Sequence, residues 1–279
     1  MTQSNTQSPM NQVSIEQTLE HRNGQIIPNI ITQDDDKRVS LLDEKVFNVF
    51  VRPGEVVEVR IIGANGKSPA WGNQFARGTV SGYFDDFELF RISVDSAIQH
   101  QQSNIYFTLQ VIDTRLIGRA FNRLKPSIVT TSDSNVTHYR WIPIDIDPKR
   151  PSGVSSSESE LLKAITMRDL IRDYILMTGD FDHVLTAVSG NGGHILIRIP
   201  QDLPVNPENQ SFIKNFIAQL SERFSTEMVD VDTTVFNPAR IWKLYGTKAM
   251  KGDEVPGNQY REALSHRWSF IDDMGGLND

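Results

Sequence analysis

Two aspartates, Asp145 and Asp147, end a run of apolar residues whose composition predicts a β-strand over Tyr139–Asp147. Because side chains alternate along a strand, both carboxylates lie on one face. Mg²⁺ and Mn²⁺ prefer oxygen ligands such as these, together with water and substrate phosphates. With a third carboxylate, here Asp232 or alternatively Asp230, the pair could hold two ions about 4 Å apart, as two-metal phosphoryl transfer requires. An isolated Asp-x-Asp before a proline is more typical of a solvated strand end.

A glycine-rich segment, Ser189–His194, is the second candidate. Small residues such as Gly190 and Gly192 let the backbone approach a ligand closely, and successive N–H groups can hold an anion. The hydroxyl of Ser189 and the imidazole of His194 would add donors toward phosphate oxygens. The same segment also fits an ordinary hairpin turn, because three glycines in five residues make a good turn.

Basic residues gather after the third acid. Residues 238–268 contain six Lys and Arg against three Asp and Glu, which reverses the net charge of −7 of the whole chain. Cations beside an acidic metal cluster suit a triphosphate or a nucleic-acid backbone. A solvated basic face is the commoner interpretation of such a run, and the nearby acids favour the functional one. The six are Arg240, Lys243, Lys248, Lys251, Arg261 and Arg267.

The elements that must position these residues follow from the pattern over 139–235. The order is strand, helix, two strands, helix and strand: Tyr139–Asp147, a helix from the Ser157/Glu160 capping box to about Met177, His183–Val188, His194–Ile199, a helix opened by Asn206-Pro207, and Val229–Val235. This β-α-β-β-α-β order is that of ferredoxin-like and RNA-recognition-motif folds. In their usual sheet order, 4-1-3-2, the end of strand 1 adjoins the starts of strands 3 and 4. The acids and His194 are therefore predicted to meet at one edge of one sheet.

The first half of the chain is less regular. Residues 1–42 are rich in Gln and Asn, lack aromatics and predict a polar arm or leader. Residues 43–135 predict a mixed α/β subdomain, 136–270 an RNA-recognition-motif-like subdomain with a basic extension, and 271–279 a tail, for an overall α+β class. The predicted elements of the first half are a hairpin of Val46–Val51 and Val56–Ile62 around Pro53-Gly54, a Gly/Asn-rich stretch over Gly63–Gly82, a helix near Asp85–Gln99 and a strand over Asn104–Ile112.

Composition excludes several classes of protein. The 279 residues include no cysteine, which rules out disulfides and thiolate metal sites and fits a reducing cytoplasm. No apolar run approaches the roughly 18 residues of a membrane span, and the N-terminus lacks a secretory pattern. The acidic net charge argues against a protein coated in positive charge, although a local basic groove is compatible with it.

Three ordered motifs carry a family resemblance: Asp145-Ile-Asp147, then Ser189-Gly-Asn-Gly-Gly-His194, then Asp232 followed by Asn237-Pro-Ala-Arg240 and Tyr245-Gly-Thr-Lys248. In this order they resemble the motifs of the archaeo-eukaryotic primase superfamily, and in particular the primase–polymerases of plasmids, phages and other mobile elements. The resemblance spans about residues 43–270. It implies a catalytic core in which the RNA-recognition-motif-like subdomain packs on an α/β subdomain. It also implies an enzyme that adds nucleotides from (d)NTPs to a 3′-hydroxyl along a DNA template, releasing pyrophosphate, with two Mg²⁺ or Mn²⁺ ions.

The resemblance also implies residue roles. Asp145, Asp147 and Asp232 match the metal-binding triad. The residues that match positions facing the incoming nucleotide are Ser189, Gly190, Gly192, His194, Arg240, Lys243 and Lys248. Template DNA, single-stranded or primed, would run over basic and aromatic surface, with Trp242 or Tyr245 as stacking groups, although Trp242 fits a core position equally well. Many members are fused to a helical priming domain or a helicase, which the resemblance adds as a candidate partner. One departure is Gln110, where members often have asparagine.

Two other functions use the same residues. A single-strand binding module of the same topology would stack bases on aromatics of its central strands, whereas His194–Ile199 is aliphatic after its histidine. A palm-type nucleotide cyclase would use the same acids and metals without a template. Incorporation that follows a template distinguishes a polymerase from a cyclase.

Overall fold

The computed structural model describes residues 39–100, 102 and 104–277. Residues 1–38 of the predicted arm (1–42) therefore lie outside the described residues. Within these ranges the helices are α1 (Glu44–Phe50), α2 (Phe87–Gln99), α3 (Glu158–Thr178) and α4 (Pro207–Phe224). The strands are β1 (Val57–Lys67), β2 (Phe75–Phe84), β3 (Ile105–Thr108), β4 (Val111–Ile112), β5 (Lys125–Pro126), β6 (Val136–Pro148), β7 (Val184–Val188), β8 (Gly193–Pro204), β9 (Val229–Val231), β10 (Ile241–Lys243), β11 (Lys248–Ala249), β12 (Arg267–Trp268) and β13 (Phe270–Asp273).

The second half forms the antiparallel sheet that the sequence predicts. Strand order β9-β6-β8-β7 is the expected 4-1-3-2, and β6 runs antiparallel to both β8 and β9. Helix α3 begins at the capping box of Ser157 and Glu160, and α4 begins behind Asn206, whose side chain accepts from the N–H of Asn209. Two strands extend this six-stranded sheet, β4 beside β6 and β13 beside β7. The α+β class is confirmed.

A second, five-stranded sheet has the order β10-β3-β1-β2-β5. Its edge strand β10 comes from the basic extension, so the second half of the chain completes the sheet of the first. One face of the sheet carries Val59, Ile61 and Phe107, which belong to the same buried core as Ile144 and Leu196 of the other sheet. Both sheets therefore share one hydrophobic core, and the junction between β3 and β10 lies close to the end of β6.

The predicted first hairpin is wrong. Val46–Phe50 belongs to helix α1, because Asp43 caps the N-terminus and Val46, Phe47 and Phe50 form one buried helical face. The hairpin partner of β1 is β2, so much of the Gly/Asn-rich stretch is β-hairpin.

The predicted strand Asn104–Ile112 is split between the two sheets. Gln110 lies at the break, and its side chain takes the place of a strand partner: Nε2 donates to the carbonyl of Trp141, and Oε1 accepts from the N–H of Arg140. Residues 271–273, predicted as the start of a tail, lie in β13. None of the helices in the described ranges is long and apolar enough to cross a bilayer.

Candidate active site

A cavity of about 290 Å³ opens where the end of β6 meets β3 and β10. Segments far apart in the sequence supply its walls: β3, the end of β6, the β7–β8 loop, and residues 240–251. Of the residues singled out from the sequence, the cavity is lined by Asp145, Asp147, Ser189, His194, Arg240, Trp242, Lys243 and Lys251. The convergence at one sheet edge that the topology predicts for the acids and His194 is present for Asp145, Asp147 and His194, whereas Asp230 and Asp232 are not part of the cavity lining.

The two aspartates of β6 face this cavity together. Asp145 pairs in register with His194 of β8, and Asp147 pairs with Asp230 of β9. Burial raises the pKa of Asp145, but the hydrogen bond from His194 and the charges of Lys251 and Arg240 outweigh it and hold the pKa below its usual value. Burial, and then the negative charge of Asp145, raise the pKa of Asp147. Two crowded carboxylates of this kind favour a cation between them.

The third acid lies beside the pair without joining it. The N–H of Asp232 donates to the carbonyl of Asp145 at 2.9 Å, but its carboxylate accepts from Thr234 N at 2.8 Å, Thr234 Oγ1 at 2.7 Å and Arg240 at 3.2 Å. These bonds turn the chain and end β9 at Val231. The alternative, Asp230, faces Lys149 at 3.2 Å. In the described part of the chain no group of three His, Asp or Glu side chains is placed to hold a metal ion. A metal role for Asp232 stays a prediction.

His194 is held in one orientation by a buried hydrogen-bond chain. Trp242 Nε1 donates to Tyr245 Oη at 2.8 Å, and Oη lies 2.8 Å from His194 Nδ1. Because Oη already accepts the indole proton, its own proton is satisfied by donation to Nδ1. We therefore assign the ring proton of neutral His194 to Nε2, which lies 3.4 Å from Asp145 Oδ1 at the cavity. Trp242 and Tyr245 are 3% and 0% exposed, so neither offers a free ring face to a template, and Trp242 takes the core position that was the alternative to stacking.

The glycine-rich loop is folded against the end of β6. Gly192 must lack a side chain, because a Cβ there would lie 2.4 Å from the carbonyl oxygen of Ile146 and 2.8 Å from Asp147 Oδ1. Gly190 has φ +98°, and a Cβ there would lie 2.6 Å from the Cβ of Ala249. The hydroxyl of Ser189 accepts from the N–H of Gly192 at 2.9 Å and so closes its own loop. Its predicted contact with phosphate stays a prediction.

Asn191, in the middle of this loop, is a cavity residue that the sequence analysis did not single out. It is only 3% exposed, and its Oδ1 accepts from the N–H of Ser156 at 2.9 Å. Its Nδ2 has no partner among the described residues. A buried donor without an acceptor at a cavity wall fits an oxygen of a bound ligand. An amide between glycines reads as a turn residue, so the sequence gives no signal for this role.

The basic residues divide into those that line the cavity and those that support it. Lys243 is 6% exposed, and burial lowers its pKa to about 7. Its Nζ donates to the carbonyl of Lys248 at 2.9 Å and lies 5.6 Å from the ring centre of Tyr106, a second cavity residue that the sequence analysis left without a role. Arg240 and Lys251 carry their charge close to Asp145. Lys248 is outside the cavity lining and contributes through its carbonyl.

Comparisons with known proteins find likeness to solved structures. No family model matches the chain, and no curated protein matches it. Among solved structures, the chain is similar to the AEP domain (PP-N190) of the cyanophage S-2L primase-polymerase (PrimPol), with 12% sequence identity and a TM-score of 0.44. The match covers 86% of this chain and 90% of that one. A likeness of this degree does not show what the chain does.

Proposed function

We propose that the chain is a template-directed nucleotidyl transferase of the primase–polymerase kind, which adds nucleotides from (d)NTPs to a 3′-hydroxyl. One observation carries the proposal: a single cavity is lined both by the carboxylates of Asp145 and Asp147 and by the basic side chains of Arg240, Lys243 and Lys251. Carboxylates alone favour a metal, and cations alone favour an anion. Together they suit a nucleoside triphosphate that arrives with its divalent cation.

Asp145 and Asp147 would hold Mg²⁺ or Mn²⁺, since these ions usually take one or two carboxylates and complete their shell with water and phosphate oxygens. Burial and then the negative charge of Asp145 raise the pKa of Asp147, and a bound divalent cation would relieve this repulsion. When bound, the cation would neutralise charge on the phosphates and lower the pKa of the attacking hydroxyl. Asp232 would join the pair only by giving up its bonds to Thr234 and Arg240.

Three donors of the chain would orient the triphosphate. The Nε2–H of His194 points to the cavity in the tautomer that Tyr245 imposes. The unpartnered Nδ2 of Asn191 supplies a second hydrogen bond. Lys243, with its pKa lowered to about 7 by burial, would be drawn into its charged form by an entering anion, so its charge would be fully developed only in the complex.

The single-strand binding module receives little support from the six-stranded sheet. The residues of β6 from Tyr139 to Ile144 and of β8 from Gly193 to Ile197 are buried on both sheet faces, so the central strands offer no open platform for stacked bases. The palm-type cyclase uses the same cavity, and template dependence separates it from a polymerase.

The proposal is tested by incubating the protein with a primed single-stranded template, Mn²⁺ or Mg²⁺ and labelled nucleotides. We expect incorporation that follows the template, and a loss of at least about 100-fold for Asp147→Asn, because removing a metal carboxylate removes transition-state charge stabilisation. Asp180→Asn, an exposed aspartate after α3, is the matched control and should keep full activity. Incorporation that ignores the template sequence, or an unchanged rate in Asp147→Asn, would contradict the proposal.

A further inference from the structure

The five-stranded sheet is strongly basic in an acidic protein. Its strands contain one acid, Glu58, which is fully buried and neutralised by Arg60 at 2.7 Å and by hydrogen bonds from Ser81 and the N–H of Thr131. The same strands contain five cations, although the whole chain carries a net charge of −7. The five are Arg60, Lys67, Arg77, Lys125 and Lys243.

Strand register places all five cations on the same face. Lys243 pairs with Tyr106, Tyr106 with Arg60, Arg60 with Ser81, and Ser81 with Lys125, which makes one row across five strands. Neighbouring strands lie about 4.8 Å apart, so the row is about 19 Å long. The row begins inside the cavity, because Tyr106 and Lys243 are among the residues that line the cavity.

Farther along β1 and β2 the same face carries Asn65 opposite Arg77 and Lys67 opposite Phe75. The opposite face carries the buried side chains Val59, Ile61 and Val80 of the shared core. On the basic face, Glu58 and Ser81 are buried beside Thr131, whereas the outer part at Lys67, Phe75 and Arg77 is exposed.

The outer part of this face combines free charge with an exposed aromatic ring. Phe75 is 64% exposed, although burial would stabilise the fold, and it lies directly opposite Lys67. Within the described residues, Lys67, Arg77 and Lys125 form no ion pair. Cations along a groove with an aromatic ring between them are how proteins hold single-stranded nucleic acid, phosphates on the charges and a base on the ring.

We propose that the template strand lies across this face of the five-stranded sheet, which we call the basic face (Arg60, Phe75, Arg77, Lys67 and Lys125). Its phosphates contact Lys67, Arg77 and Lys125, a base stacks on Phe75, and the strand reaches the cavity at Tyr106. The inference rests on the proposed function, which supplies the need for a template. An acidic peptide would find the same cations but gains nothing comparable from a flat aromatic ring.

The test is the binding of a fluorescent 20-nucleotide oligo(dT) to the full chain, measured by anisotropy over a range of salt concentrations, without metal or nucleotide. Each lost phosphate contact lowers the slope of log affinity against log salt by about 0.7, so the double variant Lys67→Ala/Arg77→Ala should lower it by about 1.4. The matched control is Lys45→Ala/Lys214→Ala, two exposed lysines on α1 and α4, which should leave the slope unchanged.

Stacking is tested separately at Phe75. We expect Phe75→Ala to weaken oligo(dT) binding about fivefold or more, and Phe75→Trp to keep or improve it, because a larger ring stacks at least as well. Residue 75 is exposed, so the fold should tolerate both changes, and thermal unfolding checks this. Equal loss in the alanine and tryptophan variants, or no loss in either, would overturn the stacking contact.

The outcomes separate this inference from the proposed function. If Asp147→Asn binds oligo(dT) normally and the basic-face variants do not, the inference stands whether or not the wild type incorporates nucleotides. If the wild type incorporates nucleotides and Lys67→Ala/Arg77→Ala keeps both the salt slope and the KM for template, the inference is wrong and the proposed function stands. Binding of a poly-glutamate peptide with the same dependence on Lys67 and Arg77, and no binding of oligo(dT), would also overturn it.

Discussion

Replacing Tyr245 with phenylalanine removes one hydroxyl from the hydrogen-bond chain that holds His194. In the wild type this hydroxyl accepts from Trp242 Nε1 and donates to His194 Nδ1, each at 2.8 Å, inside the core. The substitution leaves both nitrogens unpaired, and each buried group without a partner costs about 1–3 kcal/mol. Because the phenol itself no longer needs to be desolvated, we expect a loss toward the lower end of the sum, about 3 kcal/mol of unfolding free energy.

The same substitution should change the chemistry of the site. Without the hydroxyl, only the carboxylate of Asp145, 3.4 Å from Nε2, still favours the His194 tautomer with its proton on Nε2, so the donor that faces the cavity is lost part of the time. The ¹⁵N shifts of the imidazole should report a mixture of tautomers, and the affinity for a nucleoside triphosphate with Mn²⁺ should fall about tenfold, the equivalent of one charge-assisted hydrogen bond.

Urea unfolding measures the stability change, and Tyr139→Phe is the matched control. The hydroxyl of Tyr139 is buried and has no partner among the described residues, so its removal should leave stability unchanged or raise it. A Tyr245→Phe variant as stable as the wild type, with the imidazole proton still on Nε2, would refute the hydrogen-bond chain as the cause of the orientation of His194.

Three further substitutions test other parts of the site. Gly192→Ala should destabilise by about 1–3 kcal/mol and weaken nucleotide binding, because its Cβ meets the backbone of β6, whereas Gly118→Ala, with open space around it, should be neutral in both assays. Lys243 loses its proton near pH 7 when folded but near 10.5 when unfolded, so wild-type unfolding free energy should rise from pH 7 to 10. Lys243→Met should remove that rise and be the more stable protein at pH 7, as urea titrations at both pH values would show. Asn191→Asp keeps the acceptor for Ser156 but replaces the free Nδ2 donor by an oxygen, so nucleotide affinity should fall about tenfold in calorimetry while oligo(dT) binding is retained.

The β-α-β-β-α-β half was predictable because its signals are local and agree with one another. Ser157 and Glu160 form a capping box, Asn206 with Pro207 starts the next helix, and apolar spacing fixes the strands between them. The sheet order then follows from the usual order of this topology. The sequence alone therefore predicts that Asp145 and His194 lie side by side. The N-terminal helix was missed because Val46–Phe50 is rich in residues that favour strands, and its helical state depends on burial against α2.

The inner surface of the site was less predictable, since it depends on contacts between distant segments. Nothing in the sequence shows that Arg240 donates a hydrogen bond to the carboxylate of Asp232, or that Trp242 and Tyr245 are buried behind His194. The unpartnered Nδ2 donor of Asn191 likewise cannot be inferred from the sequence. It follows from the bond between Asn191 Oδ1 and the N–H of Ser156, a residue 35 positions away.

The central claim is that Asp145 and Asp147 hold a divalent cation in the same cavity in which Arg240, Lys243 and Lys251 hold a nucleotide. Calorimetric titration of a nonhydrolysable nucleoside triphosphate into the protein, with and without Mn²⁺, tests it most directly. We predict binding that strengthens at least tenfold with Mn²⁺ in the wild type, and no effect of Mn²⁺ in the folded Asp145→Asn/Asp147→Asn variant. Equal Mn²⁺-dependent affinity in both proteins, or no nucleotide binding by the wild type, would contradict the claim.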